Sequence, residues 1–370
     1  MPTLDKARRL VVKIGSSLLV DAEKGEIRVD WLDSLAQDVA RLRGRNQEVL
    51  LVSSGAIAAG RHDLDLPAGK LKLEEKQAAA AAGQIRLAHA YQEALGRYGV
   101  RVAQVLLTLG DTEARRQYLN ARSTLATLLR IGSVPVINEN DTVATAEIRF
   151  GDNDRLAARV AAMATADLLV LLSDVDGLYT ANPRTTPDAR HVGEIREITP
   201  EIETMADTTG SVDGSGGMVT KLVAARICLG AGCHVAICRG SLAHPLQALE
   251  DGAPASWFTA AATPKAARKQ WIAASLRPRG CLVIDAGAFA ALGKGRSLLP
   301  AGVVTVSGRF ERGDAVIVED AGGGELARGL CAYSSVDAGR IAGHKSREIE
   351  QLLGYRGRDE MIHRDDLVLS

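Results

Sequence analysis

In roughly the first two-thirds of the chain, short unbroken apolar runs alternate with stretches whose apolar residues recur every three or four positions. Leu10 to Ile14, Glu48 to Val52, Val100 to Thr108, Val134 to Ile137 and Leu168 to Leu172 read as strands. Between them, Leu32, Leu35, Ala36, Val39 and Leu42 mark one face of a helix, with Asp30 as its candidate N-cap. Glu74 to Arg97 reads as a long Ala-rich helix and Arg116 to Arg130 as another. Apolar strands separated by helices predict an α/β fold, a mainly parallel sheet sandwiched by helices, whose ligands gather beyond the carboxyl ends of the strands.

The pattern changes near Ala262. A basic stretch from Lys265 to Arg279 is followed by short β-type runs at Cys281 to Ile284, Val303 to Val306 and Ala315 to Val318, separated by Gly-rich turns. A small, mostly β second domain is expected there. The expected divisions are 6–260 for the α/β domain, 261–278 for a linker and 279–366 for the second domain, two domains being the usual solution for 370 residues.

Charge narrows the range of partners. Lys plus Arg and Asp plus Glu number 45 each, so no overall field recruits nucleic acid or an anionic membrane, and a small-molecule partner is expected. The N-terminal segment leads into a strand without a small-residue cleavage site, and apolar runs fall far short of the ~20 residues of a membrane-spanning helix, which predicts a cytoplasmic protein. Five cysteines form no CxxC pair. Cys228, Cys233 and Cys238 lie among apolar residues, so reduced, buried thiols are favoured over a metal site with His234.

Two common nucleotide signatures are missing. No G-x-x-x-x-G-K-[ST] loop occurs, and no G-x-G-x-x-G follows a strand, which argues against a Walker-type ATPase and a dinucleotide-dependent dehydrogenase. Other polar segments stand where a parallel sheet gathers ligands. Lys13-Ile14-Gly15-Ser16-Ser17 ends the first strand with a cation, a glycine turn and two hydroxyls that suit a phosphate, although a lone strand-terminal lysine is more often a solvated surface residue. Ser54-Gly55-Ala56 opens a small-residue segment through Gly60, which suits either anion binding at a helix N-terminus or tight helix packing. Residues 138–154 hold five acidic and three amide side chains, including Asn138, Asp141, Asp152, Asn153 and Asp154. An amino-acid substrate needs carboxylates for its ammonium and amide donors for its carboxylate, and this stretch has both. Ser173 and Asp174, with Gly177-Leu178-Tyr179-Thr180, suit a nucleobase and ribose pocket. Ser215-Gly216-Gly217-Met218-Val219-Thr220-Lys221 opens a helix with amides and a lysine placed for an anion.

Taken in order, these five segments resemble the amino acid kinase family, in its branch that phosphorylates the side-chain carboxylate of free glutamate. The resemblance implies that Lys13 and Lys221 stabilise the transferred phosphoryl group and that Asp154 organises the two lysines. It places glutamate on Ser54, Gly55, Ala56, Asp141, Asp152 and Asn153. ATP falls to Lys13, Ser173, Asp174, Ser215, Gly216, Gly217, Met218, Val219, Thr220 and Lys221. Mg²⁺ is expected to be held mainly by the ATP phosphates, with no protein ligand assigned. Proline as feedback inhibitor, a downstream reductase that takes the acyl phosphate into proline synthesis, and a homo-oligomer also follow from the resemblance. Ser173 and Ser215 stand where the family often has threonine, and both keep a hydroxyl.

Residues from Gly280 to about Asp365 resemble a PUA domain, a fold that binds RNA in other proteins. Here residues 278–370 carry twelve basic and thirteen acidic side chains, so the electrostatic footprint of nucleic-acid binding is missing. Rival readings are a sibling kinase acting on N-acetylglutamate, aspartate or UMP, and an RNA-binding or regulatory protein that retains a kinase fold.

Overall fold

The computed structural model describes all residues except 1–2, 22, 68, 145–151, 184, 209–216 and 276–277. It divides into two compact units, Met1–Pro264 and Lys265–Ser370.

In the first unit β1 (Arg9–Ile14) is followed by α1 (Ser16–Leu19), α2 (Val29–Gly44), β2 (Glu48–Val52), α3 (Ala56–Asp63) and α4 (Leu73–Gly96). Next come β3 (Val102–Leu107), α5 (Leu109–Glu113), α6 (Arg115–Arg130), β4 (Val134–Glu139), α7 (Asp152–Ala164) and β5 (Leu168–Ser173). The short strands β6 (Leu178–Tyr179), β7 (His191–Val192) and β8 (Glu194–Ile195) lead to α8 (Pro200–Thr208) and α9 (Met218–Gly230). The unit closes with β9 (His234–Arg239), α10 (Pro245–Glu250) and β10 (Ala255–Phe258).

Eight strands form one sheet in the order β3-β4-β2-β1-β5-β9-β10-β8. Every pairing from β3 to β9 is parallel, and β10 runs antiparallel to β9. Both faces are covered, which is why the central strands read as unbroken apolar runs. In β1, Leu10, Val12 and Ile14 pack on one face with the α2 residues Leu32, Leu35, Ala36, Val39 and Leu42, while Val11 faces α6 and α7 on the other. β5 divides likewise, Val170 to one face and Leu169 and Leu171 to the other. Each such fully buried Leu or Val contributes about 1.5–3 kcal/mol relative to an exposed one. Helix α2 starts two residues earlier than expected: Arg28 is its N-cap and Asp30 sits in the first turn, where its charge favours the helix dipole. Asp38, buried on the same helix, instead accepts from the backbone N–H groups of Leu246 and Gln247 and caps α10.

Helices α3 and α4 cross at two glycines. A Cβ on Gly60 would lie 2.0 Å from the Ala79 carbonyl oxygen, and one on Gly83 would lie 1.9 Å from that of Ala56. Backbone therefore packs directly on backbone, so α4 fixes the first turn of α3.

The second unit contains α11 (Pro264–Ser275), which begins at the last residue of the first unit and lies within the stretch read as a linker. Arg268 on this helix pairs with buried Asp366 at 2.6 Å. A five-stranded sheet in the order β12-β11-β13-β14-β15 follows: β11 (Gly280–Ile284), β12 (Val303–Gly308), β13 (Ala315–Glu319), β14 (Glu325–Leu330) and β15 (Leu367–Leu369). Leu282, Phe310, Val316, Val318, Ile341 and Ile362 are among the residues of its core.

Candidate active site

The carboxyl ends of adjacent parallel strands bring together segments far apart in sequence. Lys13 and Asn138 are the penultimate residues of β1 and β4, Ser53 and Ser54 follow β2, and Ser173 ends β5. Helix α7 starts at the same edge and places Asp154 in its first turn, fully buried. Lys13 Nζ lies 2.8 Å from Asp154 Oδ1, Lys221 Nζ lies 3.4 Å from Oδ2, and Thr220 Oγ1 donates to Oδ2 at 3.0 Å. Both lysines are themselves buried. Burial pushes the Asp154 carboxyl up, but the charges of Lys13 and Lys221 and the hydrogen bonds from Lys13 and Thr220 outweigh it and hold the group below the ordinary carboxylate range. The carboxylate therefore fixes two cations at one spot.

Beside this cluster lies a group of hydrogen-bonded amide and hydroxyl side chains. The two N–H groups of Asn153 Nδ2 are shared among three acceptors, the Ser53 carbonyl at 2.8 Å, Ser54 Oγ at 2.9 Å and Asn138 Oδ1 at 3.1 Å. Its own Oδ1 is buried and has no hydrogen-bond partner among the described residues. Asn138 Nδ2 donates to Gln84 Oε1 at 2.7 Å, and the fully buried Tyr91 donates its hydroxyl to Ser53 Oγ at 3.1 Å. Gly55 has φ +97°, in the left-handed region, so it turns the chain from β2 into α3 where a Cβ would also crowd Val20 and Ser16. Ala56, the first residue of α3, is buried. Asp141 follows β4, and burial pushes its carboxyl up to about 6. Asp152 opens α7.

On the other side of β1, the β5 end presents Ser173 and Asp174, whose side chains are joined by a 3.0 Å hydrogen bond. Asp176 accepts from the Tyr179 hydroxyl at 3.2 Å and pairs with Arg239 at 3.4 Å. Gly177 is required at the turn, since a Cβ there would lie 2.4 Å from both His191 Nε2 and Ser256 Oγ. Gly217 is the N-cap of α9, Met218 is buried behind it, and Val219 is exposed on the first turn. Ser215 and Gly216, as well as Gly151, lie outside the described residues.

The residues assigned to phosphoryl transfer, Lys13, Asp154 and Lys221, thus meet in space, as do Ser54 and Asn153. Gln84, Asn138, Ser53 and Tyr91 were not among the assigned site residues. Gln84 and Tyr91 sit in a helix and Ser53 at a strand end, and nothing in their spacing marks them as polar neighbours.

A parallel sheet that delivers two lysines, a shared aspartate and an amide pocket to one edge suits phosphoryl transfer. The amino acid kinase family model matches residues 8–239, and the chain belongs to that family. A PUA domain model matches residues 280–353. The chain is 65% identical over 370 residues to the glutamate 5-kinase of Paramagnetospirillum magneticum, covering 100% of both chains. It is 60% identical over 369 residues to that of Dinoroseobacter shibae, again covering 100% of each. It is 59% identical over 368 residues to that of Paracoccus denitrificans, covering 100% of this chain and 99% of the relative. Among solved structures, carbamate kinase from Giardia lamblia bound to AMP-PNP aligns with a TM-score of 0.50 and 17% identity, covering 70% of this chain and 100% of that one, a likeness of fold alone.

Proposed function

We propose that this protein transfers the γ-phosphoryl group of ATP to the side-chain carboxylate of L-glutamate, giving L-glutamate 5-phosphate and ADP, the first step of proline biosynthesis. The observation that carries this reading is the buried Lys13–Asp154–Lys221 cluster next to the buried, unpartnered Asn153 Oδ1. The glutamate side chain has an ordinary pKa of roughly 4.3, so the nucleophile is already ionised at neutral pH and needs no general base. One carboxylate oxygen attacks the γ-phosphorus in line as the bond to the ADP oxygen breaks. Lys13 and Lys221, held by Asp154, meet the charge on the transferring oxygens.

Asn153 Oδ1, buried without a donor among the described residues, is suited to an N–H of the substrate ammonium, and Asp141 to its charge. Ser54, Gly55 and Ala56 at the start of α3, with Asp152, complete the glutamate pocket. Ser173, Asp174 and the 215–221 segment take the nucleotide. Mg²⁺ would neutralise the β- and γ-phosphate oxygens. Among the described residues no group of three or more His, Cys, Asp or Glu side chains is placed to hold a metal. In this reading residues 6–260 carry both substrates, and 261–278 join them to the 279–366 domain. The enzyme of this reading is cytoplasmic; no helix among the described residues is long and apolar enough to cross a membrane. The acyl phosphate product hydrolyses readily, so a reductase consumes it next, and proline is the expected feedback inhibitor of a homo-oligomeric enzyme.

The test is ADP formation by the purified protein with Mg-ATP, run with glutamate, N-acetylglutamate, aspartate and UMP, with hydroxylamine to trap acyl phosphate. Hydroxamate with glutamate alone is the expected result. ADP formed only with another acceptor would move the assignment to a sibling kinase, and ATP binding with no turnover would favour a non-catalytic role.

A further inference from the structure

The Asn138 amide is held at both ends. Its Oδ1 accepts from the Glu139 backbone N–H at 2.9 Å and from Asn153 Nδ2 at 3.1 Å, while its Nδ2 donates to Gln84 Oε1 at 2.7 Å. Two backbone groups set the sense of this chain of bonds. The Ser53 carbonyl only accepts, so Asn153 turns its NH₂ toward it; the Glu139 N–H only donates, so Asn138 turns its oxygen toward that. The Asn138 nitrogen then faces Gln84, and an acceptor is needed there. Gln84 follows Gly83, the residue whose missing Cβ lets α4 lie against the Ala56 carbonyl, so the same contact that fixes α3 fixes Gln84.

We infer that Gln84 is a positioning residue for the amino-acid pocket: through Asn138 it holds Asn153 with Nδ2 on Ser53 and Ser54 and with Oδ1 left for the substrate. The inference rests on the reading of this pocket as the glutamate site. Without the Gln84 acceptor, the Asn138 NH₂ is either left unpaired or exchanges places with its oxygen. Exchange sets that NH₂ against the Glu139 N–H and the Asn153 NH₂, three donors together. Either result loosens Asn153. Lys13, Asp154 and Lys221 lie outside this chain of bonds, so the effect falls on glutamate binding rather than on phosphoryl transfer.

Steady-state kinetics of the full-length chain test this with Gln84→Met, which keeps length without a strong acceptor, and Gln84→Glu, which keeps an acceptor. Gln84→Met is expected to raise KM for glutamate about three- to tenfold, the effect of one lost buried hydrogen bond, with kcat and KM for ATP within about twofold. The unchanged ATP values also show that the variant is folded. Gln84→Glu is expected to recover most of the loss. In an Asn153→Ala background Gln84→Met should add nothing further, because the two act in series. An unchanged KM for glutamate in Gln84→Met, an equal loss in Gln84→Glu, or full additivity with Asn153→Ala would overturn the inference alone. A wild-type chain that turns over no glutamate overturns the functional reading and the inference with it.

Discussion

Lys13 Nζ lies 2.8 Å from Asp154 Oδ1, and Asp154 is fully buried between that lysine and Lys221. A buried carboxylate facing two ammonium groups carries both a stability cost and a function. Removing it leaves two buried cations uncompensated, a loss of about 3–5 kcal/mol for comparable buried pairs. Asp154→Asn is therefore expected to lower the thermal midpoint and to cut kcat by ~100-fold or more. The native carboxyl sits below its ordinary value of 3.8, so its contribution is fully present above 3.8 and is lost as pH falls through the lower native value. Acid unfolding followed by circular dichroism should show a weaker dependence below that pH in the variant. Wild-type kcat in Asp154→Asn would remove Asp154 from the proposed machinery.

Lys221 stands in the first turn of α9 and reaches the same carboxylate at 3.4 Å. In the proposed reaction it acts on charge that develops during transfer, so Lys221→Ala should lower kcat by about 10²–10³-fold while KM for glutamate changes less than about threefold. Initial rates across both substrate concentrations separate the two. A loss carried by KM for glutamate would assign Lys221 to binding instead.

Burial places the Asp141 carboxyl at about 6. If it receives the substrate ammonium as a carboxylate, kcat/KM for glutamate should fall as pH is lowered from 7 to 5 with a midpoint near 6, while glutamate itself stays ionised. Asp141→Asn should have lower kcat/KM at neutral pH and lose that midpoint. The stability sign is opposite to that for Asp154. A native value raised above 3.8 contributes stability that is full below 3.8 and lost as pH rises through about 6. The Asn variant should accordingly be more stable than wild type at pH 7, as read by thermal melting. A pH profile identical in the two proteins would dissociate Asp141 from ammonium binding.

Gly83 is the tightest point of the α3–α4 crossing, its Cβ position 1.9 Å from a backbone oxygen that has no rotamer to give way. Gly83→Ala has to separate the helices, and overpacking of this kind costs typically ~1–3 kcal/mol. A lowered denaturant midpoint together with a raised KM for glutamate is expected, because the helix that moves carries Ser54, Gly55 and Ala56 at its start. A variant with wild-type stability would show that the crossing relaxes without strain.

The alternation of apolar runs and amphipathic helices was enough to define the sandwiched parallel sheet, because a strand buried on both faces has no polar alternation to hide it. The placement of Lys13, Ser54, Asn153, Asp154 and Lys221 near strand ends and helix starts was legible for a related reason, while the roles proposed for them follow from the family resemblance. Helix α11, inside the stretch read as linker, was not legible. Its fully buried Ile272 and its Arg268–Asp366 ion pair are tertiary features. The start of α2 shifted as well, since Arg28 rather than Asp30 occupies the cap.

The sequence by itself determined the central strands of the first unit, the long helices between them and the chemical groups near their ends, since these follow from local periodicity and residue type. Only the tertiary structure decided that two lysines from opposite ends of the first unit share one aspartate, and that a glutamine in an Ala-rich helix sets the orientation of an asparagine in another. Such pairings depend on strand order and helix crossing. Those are fixed by the packing of side chains distant in sequence, and no local pattern encodes them.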